Sequence, residues 1–215
     1  MKSIRIFLVY IAIQTTMSGQ EIRNHLLDQF FLSINRSNEY CNSCENRFGY
    51  GVGVYHTFQR DSRMNFLSGL EFNRTIQFAE SVTIGHFGGY ENVTYSKNCI
   101  SIPFTVRLPI AAQQRIFAEA GGFWDWVINS TIKGVVHSFV PDGSGQIQNK
   151  YFEIKEDAGF VNSFGVSFGL GIRIPGNRYD FIIKPDIKFK FNRWNFDIDR
   201  RFTRYFRLNA GVVLK

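Results

Sequence analysis

Beyond its first twenty or so residues, the chain alternates apolar and polar side chains with a period of two, and no stretch keeps a helical period. The clearest run is 163–175. Phe164, Val166, Phe168, Leu170, Ile172 and Ile174 fall on one face, against Ser163, Gly165, Ser167, Gly169, Gly171 and Arg173 on the other. The run 180–192 repeats it: Phe181, Ile183, Ile187, Phe189 and Phe191 oppose Asp180, Lys184, Asp186, Lys188 and Lys190. Read this way, the chain yields eight strands, at about 28–36, 48–59, 64–78, 93–110, 115–131, 159–175, 179–194 and 203–215. Most are longer than the roughly 5–6 residues of a soluble strand and reach the 9–11 or so that a tilted membrane strand needs.

The connections alternate too. Those at 60–63, 111–114 and 176–178 are short; those at about 37–47, 79–92, 132–158 and 195–202 are long. Short turns at one end and long loops at the other are the layout of an outer-membrane barrel, and a soluble sandwich has no reason to sort its loops so. The expectation is an all-β protein, an eight-stranded antiparallel up-and-down transmembrane β-barrel with short periplasmic turns and longer extracellular loops. In the longest loop, Pro141-Asp142-Gly143-Ser144-Gly145 separates two strand-like runs, which predicts a hairpin reaching beyond the membrane.

Alternation alone does not say which face is inside. Glycine placement does: Gly49, Gly51 and Gly53 share a face with Tyr55 and Thr57, and Gly165, Gly169 and Gly171 share one with Ser163, Ser167 and Arg173. Small residues beside polar ones suit a narrow polar interior, whereas on a soluble exterior they would only weaken the strands. The same face carries charges of both signs: Glu71, Arg107, Glu119, Asp125, Arg173, Lys184, Asp186, Lys188 and Arg207. Enclosed charges must pair, so these are expected to form an interior network that plugs the barrel. Outward aromatics near the strand ends (Tyr50, Phe58, Phe66, Phe78, Trp124, Trp126, Phe181, Phe191 and Phe206) would form interfacial girdles.

Composition adds the compartment. Residues 1–19 read as a signal peptide, with Lys2 and Arg5 before the apolar 6–13 and the small-x-small Thr16-Met17-Ser18 after it, leaving 20–215 as the barrel domain. The formal charge of +7 is modest, and no basic run with interleaved stacking aromatics points to nucleic acid. The three cysteines are Cys41, Cys44 and Cys99. In an oxidising compartment Cys41-Asn42-Ser43-Cys44 is a candidate loop disulfide, with Cys99 left over unless it takes one of the pair. Glu45 follows where c-type haem attachment needs histidine, and no second C-x-x-C completes a zinc site.

The run Ile100-Ser101-Ile102-Pro103-Phe104-Thr105-Val106-Arg107-Leu108 resembles the Ile-Pro strand of PorT-like outer-membrane β-barrel domains. As in that family, a short turn and a strand with a central glycine pair follow, Ala118-Glu119-Ala120-Gly121-Gly122. Gly165-x-x-x-Gly169-x-Gly171 and the final Leu208-Asn209-Ala210-Gly211-Val212 are also similar, so the resemblance covers about 28–215. The chain departs from the pattern at Ser101, where the family often has an acidic residue, and in ending Leu214-Lys215 without a terminal aromatic. The resemblance implies an outer-membrane barrel and, through one family member, a link to protein secretion; it implies no catalytic residue.

Candidate chemistry is sparse. His25, His56, His86 and His137 form no metal-ligating pattern, no G-x-S-x-G occurs, and no cofactor motif is present. His56 with Ser68 on the neighbouring strand is the best serine–histidine pairing for a membrane-embedded lipid-modifying hydrolase. A soluble lipocalin-like barrel binding an apolar ligand is the other alternative. The favoured expectation is a non-enzymatic barrel surrounded by outer-membrane lipid, with a protein partner at loop 132–158, no cofactor, and an oligomeric state the sequence leaves open.

Overall fold

A computed structural model describes residues 27–38, 44–58, 64–83, 88–110, 115–141, 143–144, 146–191 and 203–215. They form only strands: β1 (Gln29–Ser37), β2 (Glu45–Phe58), β3 (Asn65–Thr83), β4 (Gly88–Pro109), β5 (Ile116–Pro141), β6 (Ile147–Glu156), β7 (Ser163–Ile174), β8 (Tyr179–Phe191) and β9 (Thr203–Leu214). All pairings are antiparallel. The sheet runs β4-β3-β2-β1-β9-β8-β7-β5 and returns to β4 through the β4–β5 pairing, which closes an eight-stranded barrel. The ninth strand, β6, lies outside the ring and, among the described residues, pairs only with the upper part of β5. β1 begins beside the end of β9, Gln29 opposite Val213, so both start and finish at the end of the short turns.

The alternation of residue types becomes an alternation of environments. β1 reads buried and exposed in strict turn, with Phe30, Leu32 and Ile34 outward and Gln29, Phe31 and Ser33 inward. Every barrel strand carries such an apolar outward stripe. On β9 it is Phe206, Leu208, Ala210, Val212 and Leu214, about 26 Å along the strand and roughly 20 Å across a tilted wall. Leu32 is 66% exposed, Trp124 61% and Leu170 57%. No water-facing barrel spends its large apolar side chains this way; a barrel whose solvent outside is lipid must. The fold is therefore that of a transmembrane barrel of the outer-membrane type. The lipocalin-like alternative needs the opposite arrangement, apolar face inward, and is corrected on that ground.

Three of the expected strands run on past the membrane belt. β3 reaches Thr83, β4 starts at Gly88 and β5 reaches Pro141, so much of the region read as the loop 79–92 is paired strand. An apolar cluster of Val93, Tyr95, Ile132, Ala79 and Cys44 holds this extension together, with Val82, Tyr90, Ile154 and Ala158 packed against it. The strand read from 159 begins instead at Ser163. Ahead of it the Ser130 hydroxyl and the Gly159 amide both donate to Asp157, and Gly159 adopts φ 68°, so the chain turns before it can pair. The signal-peptide reading of 1–19 lies outside the described residues.

The interior has three levels. At the short-turn end Phe31, Tyr55, Phe117, Ile182 and Val213 make an apolar floor. Inward glycines make room for its rings: a Cβ on Gly171 would lie 2.1 Å from the Phe117 ring, and one on Gly211 2.4 Å from Phe31. Above it lies a charged middle level, capped by the apolar cluster of the extension.

Candidate functional site

The middle of the barrel is filled by an alternating chain of charges contributed by strands that are not all neighbours. Strand pairing makes the first links. Glu119 sits opposite Arg107, and Asp186 opposite Arg207, so each acid and base meet as cross-strand neighbours. Arg107 places Nη2 2.6 Å from Glu119 Oε1. Arg207 grips Asp186 with two parallel bonds, Nε to Oδ1 at 2.8 Å and Nη2 to Oδ2 at 2.7 Å. The other links cross the lumen. Lys184 of β8 reaches Glu119 Oε2 of β5 at 2.5 Å, and Lys188 of β8 reaches Glu71 Oε2 of β3 at 2.6 Å. Arg207 Nη1 also meets Glu71 Oε2 at 2.6 Å. Higher up, Lys190 Nζ lies 2.8 Å from Asp125 Oδ2.

Neutral groups complete the coordination. The Tyr55 hydroxyl donates to Glu71 and the Ser101 hydroxyl to Asp125. Asn73 donates to Glu71 at 3.2 Å and accepts from the Tyr205 hydroxyl at 3.1 Å. Asn209 donates to Asp186 at 3.0 Å, and Arg107 to Gln29 at 2.9 Å. Rings of the inner face support the cations: the Arg107 guanidinium lies 4.3 Å from the Phe117 centroid, and Lys188 Nζ 4.5 Å from that of Phe123. Taking such charges from water costs several kcal/mol each, which only this density of partners offsets.

The structure thus brings together Glu71, Arg107, Glu119, Asp125, Lys184, Asp186, Lys188 and Arg207. Arg173 stands apart at the short-turn rim, with Nε 3.8 Å from Asp180 Oδ2 and its side chain 26% exposed. Sequence reasoning left out Lys190 and Lys97, both 1% exposed, although Lys190 has the parity of Lys188 and could have been found by it. It also left out Tyr55, Tyr205 and Asn73 as partners, because a hydroxyl or amide on a polar face carries no signal of what it meets across a lumen. The cavity enclosed among Tyr55, Glu71, Glu119, Lys184, Asp186 and Arg207 holds about 10 Å³, the scale of one water molecule. At this level the barrel is closed.

Outside the lumen, His56 and Ser68 are register partners on β2 and β3. Ser68 is buried, and His56 Nδ1 has no hydrogen-bond partner. The imidazole packs edge-on to Phe58 at 4.6 Å, the contact of a girdle residue. The pairing lacks the nucleophile–base hydrogen bond that a serine hydrolase requires. The aromatics Tyr50, Phe66, Trp124, Trp126, Phe181 and Phe206 are exposed on the outer wall. Among the described residues, no group of three or more His, Cys, Asp and Glu side chains could hold a metal ion. Cys44 is in a disulfide, Cys99 is a buried thiol, and Cys41 lies outside the described residues.

No protein-family model matches the chain, so the PorT-like resemblance rests on the residues quoted for it. No curated protein matches it either. Among solved structures it is similar to the neisserial surface protein A, at 12% identity and a TM-score of 0.39, over 88% of this chain and 96% of that one. It is also similar to Ail, the attachment invasion locus protein of Yersinia pestis, solved with the heparin analogue sucrose octasulfate. There the identity is 11% and the TM-score 0.38, over 86% of this chain and 95% of that one. The structure of Ail in a phospholipid bilayer nanodisc is similar at 13% identity and a TM-score of 0.33, over 86% and 97%.

Proposed function

We propose that the chain is a non-enzymatic outer-membrane barrel whose task is to hold a docking sheet above the membrane, with residues 1–19 as its export signal. The observation that carries this is the form of the β5–β6 hairpin. β5 pairs with β7 only through Asp125; above that it stays paired with β4 as far as Ser138 and takes β6 on its other edge from Ile132 to Pro141. Nearly every residue of β6 is exposed, including Ile147, Tyr151 and Phe152, and among the described residues only β5 pairs with it. A long strand with one open edge and exposed apolar side chains is a liability unless something covers it. The occupant this edge suits is an extended segment of a partner protein, added as a further strand. The PorT-like resemblance makes a component of a secretion apparatus one such partner.

Amide exchange across 147–156 tests the reading. In outer membranes of the producing cell the β6 amides exchange more slowly than in the purified chain in micelles. Equal exchange in both settings would leave the docking role without support, while the barrel itself would stand.

A further inference from the structure

The outward stripes of the barrel do not all end in the same way. Moving toward the long-loop end, the first charged or amide residue above the apolar stripe is arginine on four adjacent strands: Arg74 on β3, Arg47 on β2, Arg36 on β1 and Arg204 on β9. On β4, β5 and just before β7 it is asparagine: Asn98, Asn129 and Asn162. The asparagines bond one another and the backbone. Asn98 donates to Asn129 at 2.6 Å, and Asn162 accepts from the Val127 amide at 2.9 Å. The arginines, by contrast, lack close acidic partners: among the described residues no acidic side chain pairs with Arg36, Arg74 or Arg204, and Arg47 has only Glu45 at 4.0 Å, both exposed.

The interior gives these charges no counterweight. Among the described residues, its buried acids Asp28, Glu71, Glu119, Asp125, Asp180 and Asp186 equal in number its buried bases Lys97, Arg107, Lys184, Lys188, Lys190 and Arg207. Among the described residues, any surplus of positive charge therefore lies outside the buried set. Two of the arginines are also held in place. The Arg47 guanidinium lies 4.0 Å from the Phe78 centroid, and Arg36, 6.0 Å from that of Phe48, donates Nε to the Asn46 carbonyl at 2.9 Å. Stacking uses the face of a guanidinium and leaves edge donors free for a bidentate acceptor.

We infer that the β3-β2-β1-β9 wall is a binding site for phosphate-bearing lipid of the outer leaflet. The source is lipid, not free anion, because the same wall continues downward as Phe206, Leu208, Ile34 and Val52, all outward and exposed. One molecule meets both surfaces, its acyl chains on the stripe and its phosphate on the arginines. This rests on the membrane reading and is independent of the docking role of β6.

Native mass spectrometry of the full chain in a phosphate-free detergent tests it, with phosphatidic acid and the diacylglycerol of the same acyl chains as probes. Wild type retains phosphatidic acid over diacylglycerol. Each Arg→Gln change at 36, 47, 74 or 204 weakens that preference roughly fivefold, the size of one cation's contribution at an anionic lipid surface. N98Q, N129Q and N162Q leave it unchanged. Should any one of these variants not fold, those that do, R36Q and R204Q among them, carry the same reading. Equal retention of both lipids by wild type, or undiminished preference in folded arginine variants, would overturn the site. So would adducts with inorganic phosphate alone. Wild type that stays soluble without detergent would overturn the membrane reading and the site with it.

Discussion

Glu71 is where the interior converges. It accepts from Arg207, Lys188, Tyr55 and Asn73 at once, drawing β2, β3, β8 and β9 to one carboxylate. Glu71→Gln keeps the size and some hydrogen bonds but takes the paired carboxylate from buried Lys188 and leaves Arg207 with Asp186 alone. The expected loss is about 3–5 kcal/mol, the usual cost of breaking a buried pair from one side, read by urea unfolding of vesicle-inserted protein; a loss below about 1 kcal/mol would mean that the network is not what holds the wall. Gly171 makes a complementary case. Gly171→Leu must displace the Phe117 ring and should cost about 1–3 kcal/mol as overpacking, with Phe117→Ala restoring part of the loss in the double variant. These two residues also mark what the sequence made legible. Glu71 could be assigned inward because its neighbours alternate strictly. Phe117 shares the parity of Glu119, so an aromatic there looks like noise in a polar face. That the floor of the barrel is apolar, with glycines cut away to admit its rings, depends on contacts between strands that alternation along one strand does not encode.

At the scale of elements, the ring and the extension are separable, because β5 closes the barrel with β7 through 116–125 and meets β6 only from 132 onward. Replacing 135–152 with a short turn should therefore leave heat-modifiable gel migration intact and lower stability much less than Glu71→Gln does. Loss of the folded band would show that the extension is part of the barrel's core. The hairpin was readable from its turn residues, yet the continuation of β3 and β4 beside it was not: the alternation in 76–83 is weak, and what keeps it paired is the distant cluster around Val93 and Ile132. The link after β6 offers a pH test outside the membrane. The Ser130 hydroxyl, and next the Gly159 amide, hold the Asp157 carboxyl below its usual range by stabilising the charged form. A lowered folded-state value means that this tether is complete above the ordinary carboxylate range and is lost only as pH falls through the lowered value. Carbon-detected NMR titration should show the depressed midpoint, and Ser130→Ala should return it toward the ordinary value; an unmoved midpoint would remove the hydroxyl as the cause.

For the whole molecule, eight strands leave a lumen that side chains can just fill, and here they fill it with charges whose signs cancel. A polar lumen is ordinarily the sign of a channel, but conduction needs water, and the space among Glu71, Glu119, Asp186 and Arg207 is about 10 Å³. A hydrated ion could pass only by breaking several pairs together, including Glu71–Lys188, which ties opposite walls, and Glu119–Lys184, which spans β7. The barrel in a planar bilayer should accordingly give no stepwise conductance. Salt supplies the sharper test. Exposed pairs weaken when ions screen them, whereas pairs sealed from solvent are screened far less. Raising ionic strength should weaken phosphatidic acid binding at the outer arginines while leaving the lumen closed. Regular open steps at any salt would show that the network parts as a gate, and a lumen that opened only at high salt would place its charges in contact with bulk water, contrary to their burial.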